Sequence, residues 1–137
     1  MTTTQQWTPP CGLDSELVQA GVQWDAVRAP AYLGDRVTAR LGEDSGAVIC
    51  DPYAQRMYWL ILPGMAASWV FPDISYVQVL GTASWVAVPP RDRESPPGPH
   101  WAKPVTEGSA LTDPSALHTA LTAAVGEALG PREAAAP

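Results

Sequence analysis

The sequence predicts an α+β fold: a mostly antiparallel sheet of about five strands, with two main helices on one of its faces. Three observations predict it. Short apolar runs are separated by Gly/Pro turns at hairpin spacing. Two longer stretches instead carry apolar residues at helical spacing. The chain has 137 residues, 46% of them hydrophobic, which suits one domain with a packed core.

Residues 1–20 read as a flexible N-terminal tail, with Pro9-Pro10, Cys11-Gly12 and a short polar-apolar stretch around Leu17-Val18. A single domain is expected over 21–130. Gly21 to Val27 predicts the first strand, with Val22, Trp24 and Ala26 on one face and Gln23, Asp25 and Val27 on the other. Pro30 suits the first turn of a helix. Leu33, Val37 and Leu41 form one apolar stripe, and Gly42 is its stop.

Gly46 to Cys50 predicts a second strand, and Asp51-Pro52 opens a turn that runs to Gln55. Arg56 to Leu62 is the strongest strand. Arg56, Tyr58, Leu60 and Leu62 share one face; Met57, Trp59 and Ile61 share the other. Both faces are mostly apolar, which predicts a central strand. Pro63-Gly64 ends it, and Met65 to Val70 suggests a short helix. Tyr76–Leu80 and Ser84–Val88, joined by Gly81-Thr82-Ala83, suggest a tight hairpin.

Residues 89–104 hold six prolines and read as a covering loop. Asp113-Pro114 supplies the cap and first position of a second helix. Leu117, Leu121, Ala124, Val125 and Leu129 are its stripe, with His118 off it and solvated. Gly130-Pro131 ends the helix, and 131–137 reads as a disordered C-terminal tail.

Charge and composition exclude several function classes. The formal net charge is −6, so a strongly basic nucleic-acid binder is excluded. Each half of the chain carries seven acids and four bases, so neither half is a basic segment. Arg28, Arg36, Arg40 and Arg56 could still form a local basic patch. Cys11 and Cys50 make no disulfide framework and read as a tail thiol and a core thiol of a reducing compartment. The N-terminus has no basic segment followed by an apolar one, and no apolar run is long enough to span a bilayer. The expectation is a cytoplasmic protein without membrane association.

Metal-dependent phosphoryl transfer uses at least two carboxylates on one wall of a cleft. A strand supplies them locally as Asp-x-Asp, because residues two apart share a face. Here the residue two beyond Asp25 is Val27. A non-local pair of Asp25 with Asp51 is the catalytic candidate that remains. Cys11, Cys50, His100 and His118 are isolated in sequence, so no metal site is expected. There is no Gly-x-Ser-x-Gly and no Gly-rich phosphate loop. Trp24, Trp59 and Trp85 lie on strands and could stack on bases or fill a core. Trp7 and Trp101, in loops, are candidates for a surface contact.

The stretch from Trp24 to Trp101 resembles the prim-pol-like family of actinobacteria, the bifunctional DNA primase/polymerase N-terminal domains. The pieces that carry the resemblance are Trp24-Asp-Ala-Val-Arg-Ala-Pro30, Gly46-Ala-Val-Ile49, Gln55-Arg-Met-Tyr-Trp-Leu-Ile-Leu-Pro-Gly64, Val79-Leu-Gly81, Trp85-Val-Ala-Val-Pro-Pro90 and Gly98-Pro-His-Trp101. An Arg-, Ala- and Pro-rich composition is similar to that of GC-rich actinobacterial proteins. The resemblance implies a prim-pol/RRM-like fold. Active members use an Asp-x-Asp metal site and a downstream His. This chain departs at both: Asp25 has no neighbour acid, and the strand that should carry the His is Arg56-Met57-Tyr58-Trp59.

The resulting expectation is a non-catalytic accessory or regulatory binding protein that needs no cofactor. It would work through a protein interface or a residual nucleotide or nucleic-acid groove built from Arg28, Arg56, Tyr58, Trp59, His100 and Trp101. One alternative is a minimal nucleotidyltransferase using Mg or Mn at Asp25 and Asp51. Another is a homodimeric interaction module joined through Trp7, Trp69 or Trp101.

Overall fold

The computed structural model describes residues 7–106 and 110–129. Among the described residues seven strands and two α-helices follow in the order β1 (Glu16–Gln19), β2 (Asp25–Pro30), α1 (Ala31–Leu41), β3 (Val48–Asp51), β4 (Arg56–Ile61), β5 (Gln78–Leu80), β6 (Trp85–Val88), β7 (His100–Lys103) and α2 (Pro114–Leu129). Five strands form an antiparallel sheet in the order β5-β2-β4-β3-β7, and β1 pairs with β6 in a separate two-stranded ribbon. This is the expected α+β fold, with β4 at the centre of the sheet.

Alternation along β2 and β4 divides the interior into two cores. Val27, Ala29, Met57, Trp59 and Ile61 meet Leu33, Val37 and Leu41 of α1 and Leu117, Leu121, Ala124 and Val125 of α2. On the opposite face Ala26, Ile49 and Leu60 pack with Trp24, Trp101 and the ribbon residues Val86 and Val88. Both helices therefore lie on one side of the sheet, and the ribbon covers part of the other. The helix stripes are those expected from their spacing. Asp113 caps α2 by accepting a hydrogen bond from the Ala116 N–H at 2.9 Å. Arg36 and Arg40 of α1 both reach Glu127 of α2, an exposed clasp worth less than about 1 kcal/mol.

Several local expectations are corrected. Residues 16–19 belong to a strand rather than a loose tail, because Leu17 and Val18 find Ala87 and Val86 across the ribbon. The first sheet strand begins at Asp25 instead of Gly21; Gly21 turns the chain, and its N–H donates to the Trp24 carbonyl at 2.7 Å. Met65 to Val70 is not a helix: residues 63–68 form successive turns with three-residue hydrogen-bond spacing. β5 and β6 do not pair as a hairpin: β5 joins β2, whereas β6 crosses to β1.

The proline-rich segment contains β7, which pairs with β3. Trp101 on β7 is 1% exposed, so it is a core residue and not a surface contact. Its indole N–H donates to the carbonyls of Pro89 and Pro90 at 3.3 and 3.1 Å, so the Pro-Pro pair seats it. His118 packs beside Trp69 and Phe71, with ring centroids at 4.9 and 5.7 Å, and is not a solvated helix residue. The expected end of the second helix at Gly130-Pro131 and the tail at 131–137 lie outside the described residues.

Candidate functional site

β2 and β4 run antiparallel with Arg28 opposite Tyr58 and Pro30 opposite Arg56. Arg56 lies two residues from Tyr58, on the same face and about 7 Å along the strand. Three expected ligand-binding residues thus meet on the sheet face away from the helices. Tyr58 is half-buried against the ribbon-side core, which fixes its ring. Arg28 donates to the Gln78 side chain, its cross-strand neighbour on β5. That bond uses one of five guanidinium donors and orients the rest. Arg56 is exposed. The result is a shelf on which Tyr58 has Arg28 across the strand pair and Arg56 two residues along its own strand, with Asp51 opposite Arg56 on the same face. Gln78 carries no motif, and only the β2–β5 register brings it to the shelf.

The other three expected ligand residues are elsewhere. Trp59 is fully buried on the helix side of β4, so it cannot touch a ligand on the shelf. Trp101 is buried beneath the ribbon. His100 pairs with Cys50 on the β3–β7 side of the sheet, and its Nδ1 lies 3.0 Å from the Gly98 carbonyl oxygen. The expected four-arginine patch is also split. Arg36 and Arg40 are clasped to Glu127 on the helix layer, away from Arg28 and Arg56.

The tryptophans separate in the same way. Trp24 and Trp59 fill different cores, and the indole N–H of each is buried without a hydrogen-bond partner among the described residues. Neither offers a face to a base. Trp7 packs edge-on against Trp24 at 5.6 Å. Trp85 is 58% exposed on the outer side of the ribbon.

Asp25 and Asp51 sit at opposite ends of the sheet. Asp25 pairs with Ile61 and Asp51 with Arg56, five residues apart on β4. At ~3.4 Å per residue that separates them by ~17 Å. Two catalytic ions sit ~4 Å apart, so this pair does not fit a two-ion site. Each carboxylate has a local task. Asp25 is 7% exposed and accepts a hydrogen bond from the Gly64 N–H at 2.8 Å, tying β2 to the turn after β4. Asp51 accepts from the N–H groups of Tyr53 and Ala54 at 3.1 and 3.3 Å, shaping the β3–β4 turn. Among the described residues no three His, Cys, Asp or Glu side chains are grouped so as to hold a metal ion.

The two thiols differ. Cys11 is exposed and Cys50 half-buried. Burial pushes the Cys50 thiol above its ordinary pKa, and the negative charges of Asp51 and Asp35 push it further. A raised thiol pKa means less thiolate at a given pH below it, hence slower attack on disulfide reagents. At mildly alkaline pH, Ellman's reagent is expected to titrate Cys11 first and Cys50 in a separate, slower phase. A single phase for both thiols, compared with Cys11→Ser, would contradict this placement. The same shift makes folding favour the protonated thiol. That contribution is complete below the unfolded thiol's pKa and is lost as pH rises through the folded one.

No helix among the described residues is long and apolar enough to cross a membrane. Comparison with family models, curated proteins and solved structures gave no match.

Proposed function

We propose that this chain is a non-catalytic binding protein of prim-pol-like type, and that its ligand site is the Arg28–Tyr58–Arg56 shelf. The observation that carries the reading is the cross-strand register, in which Arg28 faces Tyr58 and Arg56 lies two residues further along the same face. Two guanidinium groups suit phosphates, and the neighbouring Tyr58 ring suits a stacked base. The ligand class is therefore a nucleotide or a short single strand. In a chain of net charge −6 the contact is local, so affinity is modest and salt-sensitive. The wide separation of Asp25 from Asp51 supports binding without nucleotidyl transfer.

The test is fluorescence anisotropy with a labelled oligothymidylate, with ATP as competitor, over a salt series. Two neutralised phosphates on a single strand give a slope of log K against log salt of about −1.4. Arg56→Ala is expected to weaken binding at least about tenfold and to halve that slope. Tyr58→Ala is expected to weaken binding with the slope unchanged, because stacking carries no counterion. Absence of binding, or binding indifferent to both substitutions, rejects the shelf. Template-dependent nucleotide incorporation with Mg²⁺ or Mn²⁺ that disappears in Asp25→Ala and Asp51→Ala rejects the non-catalytic reading.

A further inference from the structure

Two segments far apart in the chain, residues 10–13 and 89–93, are stitched together at the surface. The Arg91 N–H donates to the Pro10 carbonyl at 3.0 Å, and the Arg93 guanidinium donates to the Leu13 carbonyl at 2.6 Å. The seam is anchored below: Pro9 and Pro90 are buried, and the carbonyls of Pro89 and Pro90 hold the Trp101 indole. Between the segments lies a cleft of about 390 Å³, lined by residues 11–13 and 90–93. That is the size of a small-molecule site.

The cleft gathers complementary chemistry. Cys11 is a free, exposed thiol. Arg91, Asp92 and Arg93 form no ion pair among the described residues. The bond to Leu13 occupies one of the five Arg93 donors, and the others are left for a ligand. One cleft therefore presents two guanidinium groups, a carboxylate and a nucleophilic sulfur.

We propose that this cleft takes an amino-acid-derived disulfide, and that Cys11 exchanges with it to form a mixed disulfide. Such a ligand brings carboxylates for Arg91 and Arg93, ammonium groups for Asp92 and an S–S bond for Cys11. Cys11 loses its proton to solvent, and its thiolate attacks one ligand sulfur. The new S–S bond forms as the ligand's own breaks, and the other half departs as a thiolate that takes up a proton. The Cys11 sulfur is oxidised and the departing sulfur reduced, so the ligand is itself the oxidant. The inference is independent of the shelf, since it concerns a different surface and a different chemistry.

Intact-mass spectrometry of the full chain tests it, with glutathione disulfide as the anionic probe and cystamine as the cationic one. The quantity read is the ratio of their rates of adduct formation at Cys11, which removes the thiol's own reactivity. Arg91→Ala keeps the backbone bond to Pro10 and is expected to lower the ratio at least about fivefold. Raising salt from ~20 to ~500 mM is expected to lower it in the wild type, because screening weakens the attraction. Arg36→Ala, on the helix layer, is expected to leave it unchanged, and Cys11→Ser to abolish the adduct. All variants are verified as folded by circular dichroism. A ratio indifferent to Arg91→Ala overturns the proposal. So does an equal fall in Arg36→Ala, or an adduct that forms first on Cys50.

Discussion

Trp59→Ala lowers the stability of this protein by about 3–5 kcal/mol, the range for truncating a fully buried aromatic. Trp59 sits at the middle of the central strand, wholly enclosed between the sheet and the two helices. For a domain of this length, each kcal/mol moves the thermal midpoint by about 3–4 °C, so the variant melts about 10–20 °C lower. Its neighbour provides the contrast. Tyr58 points to the opposite face and is only half-buried, so Tyr58→Ala is expected to cost about 1–2 kcal/mol. Thermal melts followed by far-UV circular dichroism measure both. A smaller loss for Trp59→Ala than for Tyr58→Ala would invert the assigned faces of β4 and return Trp59 to the ligand side.

Gly21→Ala is expected to destabilise by about 2–4 kcal/mol, combining backbone strain with a steric clash. Gly21 has φ +89, where a side chain is strained, and an added Cβ would lie 2.5 Å from the Thr82 backbone N and 2.8 Å from its Cα. Backbone atoms cannot rotate aside as a side-chain tip can. The clash falls where the Ala20 N–H bonds the Ser84 carbonyl at 2.9 Å, the join between the β1 and β6 ends of the ribbon. The ribbon should lift, wetting Trp24 and shifting tryptophan emission to the red. Gly98→Ala is the control. Gly98 has φ +81 with open space around its missing Cβ, so it bears the conformational cost alone. Equal losses at the two positions would show that the Gly21–Thr82 approach contributes nothing.

The parts legible in advance were those governed by local periodicity. Met57, Trp59 and Ile61 alternate with Tyr58 and Leu60, and these sets enter the two different cores. Leu33, Val37 and Leu41 recur at helical spacing and form the buried stripe of α1. Asp113-Pro114 starts α2 where capping chemistry places it. Half of the expected binding set also meets on one face: Arg28, Arg56 and Tyr58 belong to two strands whose alternation could be read directly.

The misplaced parts depend on partners distant in the chain. Glu16–Gln19 is too short and too polar to announce a strand, and β6, almost seventy residues away, makes it one. Trp101 sits among prolines that resemble a solvent loop, yet their carbonyls bind its indole and β3 supplies its pairing. Gly81 to Ala83 has hairpin spacing, but the strands on either side are claimed by β2 and β1. Asp25 and Asp51 could be named as a pair from the sequence, whereas their separation depends on the register of two strands against β4.

Sequence alone therefore determined the α+β class, the alternating faces of the central strand, both helix stripes and the candidacy of three shelf residues. These follow from φ/ψ preferences and side-chain periodicity within about a dozen residues. Tertiary structure alone decided which strands pair, which tryptophans are buried and where the two aspartates lie. Those outcomes depend on hydrogen bonds and apolar burial between segments far apart in the chain, and no local pattern encodes which distant partner satisfies a strand.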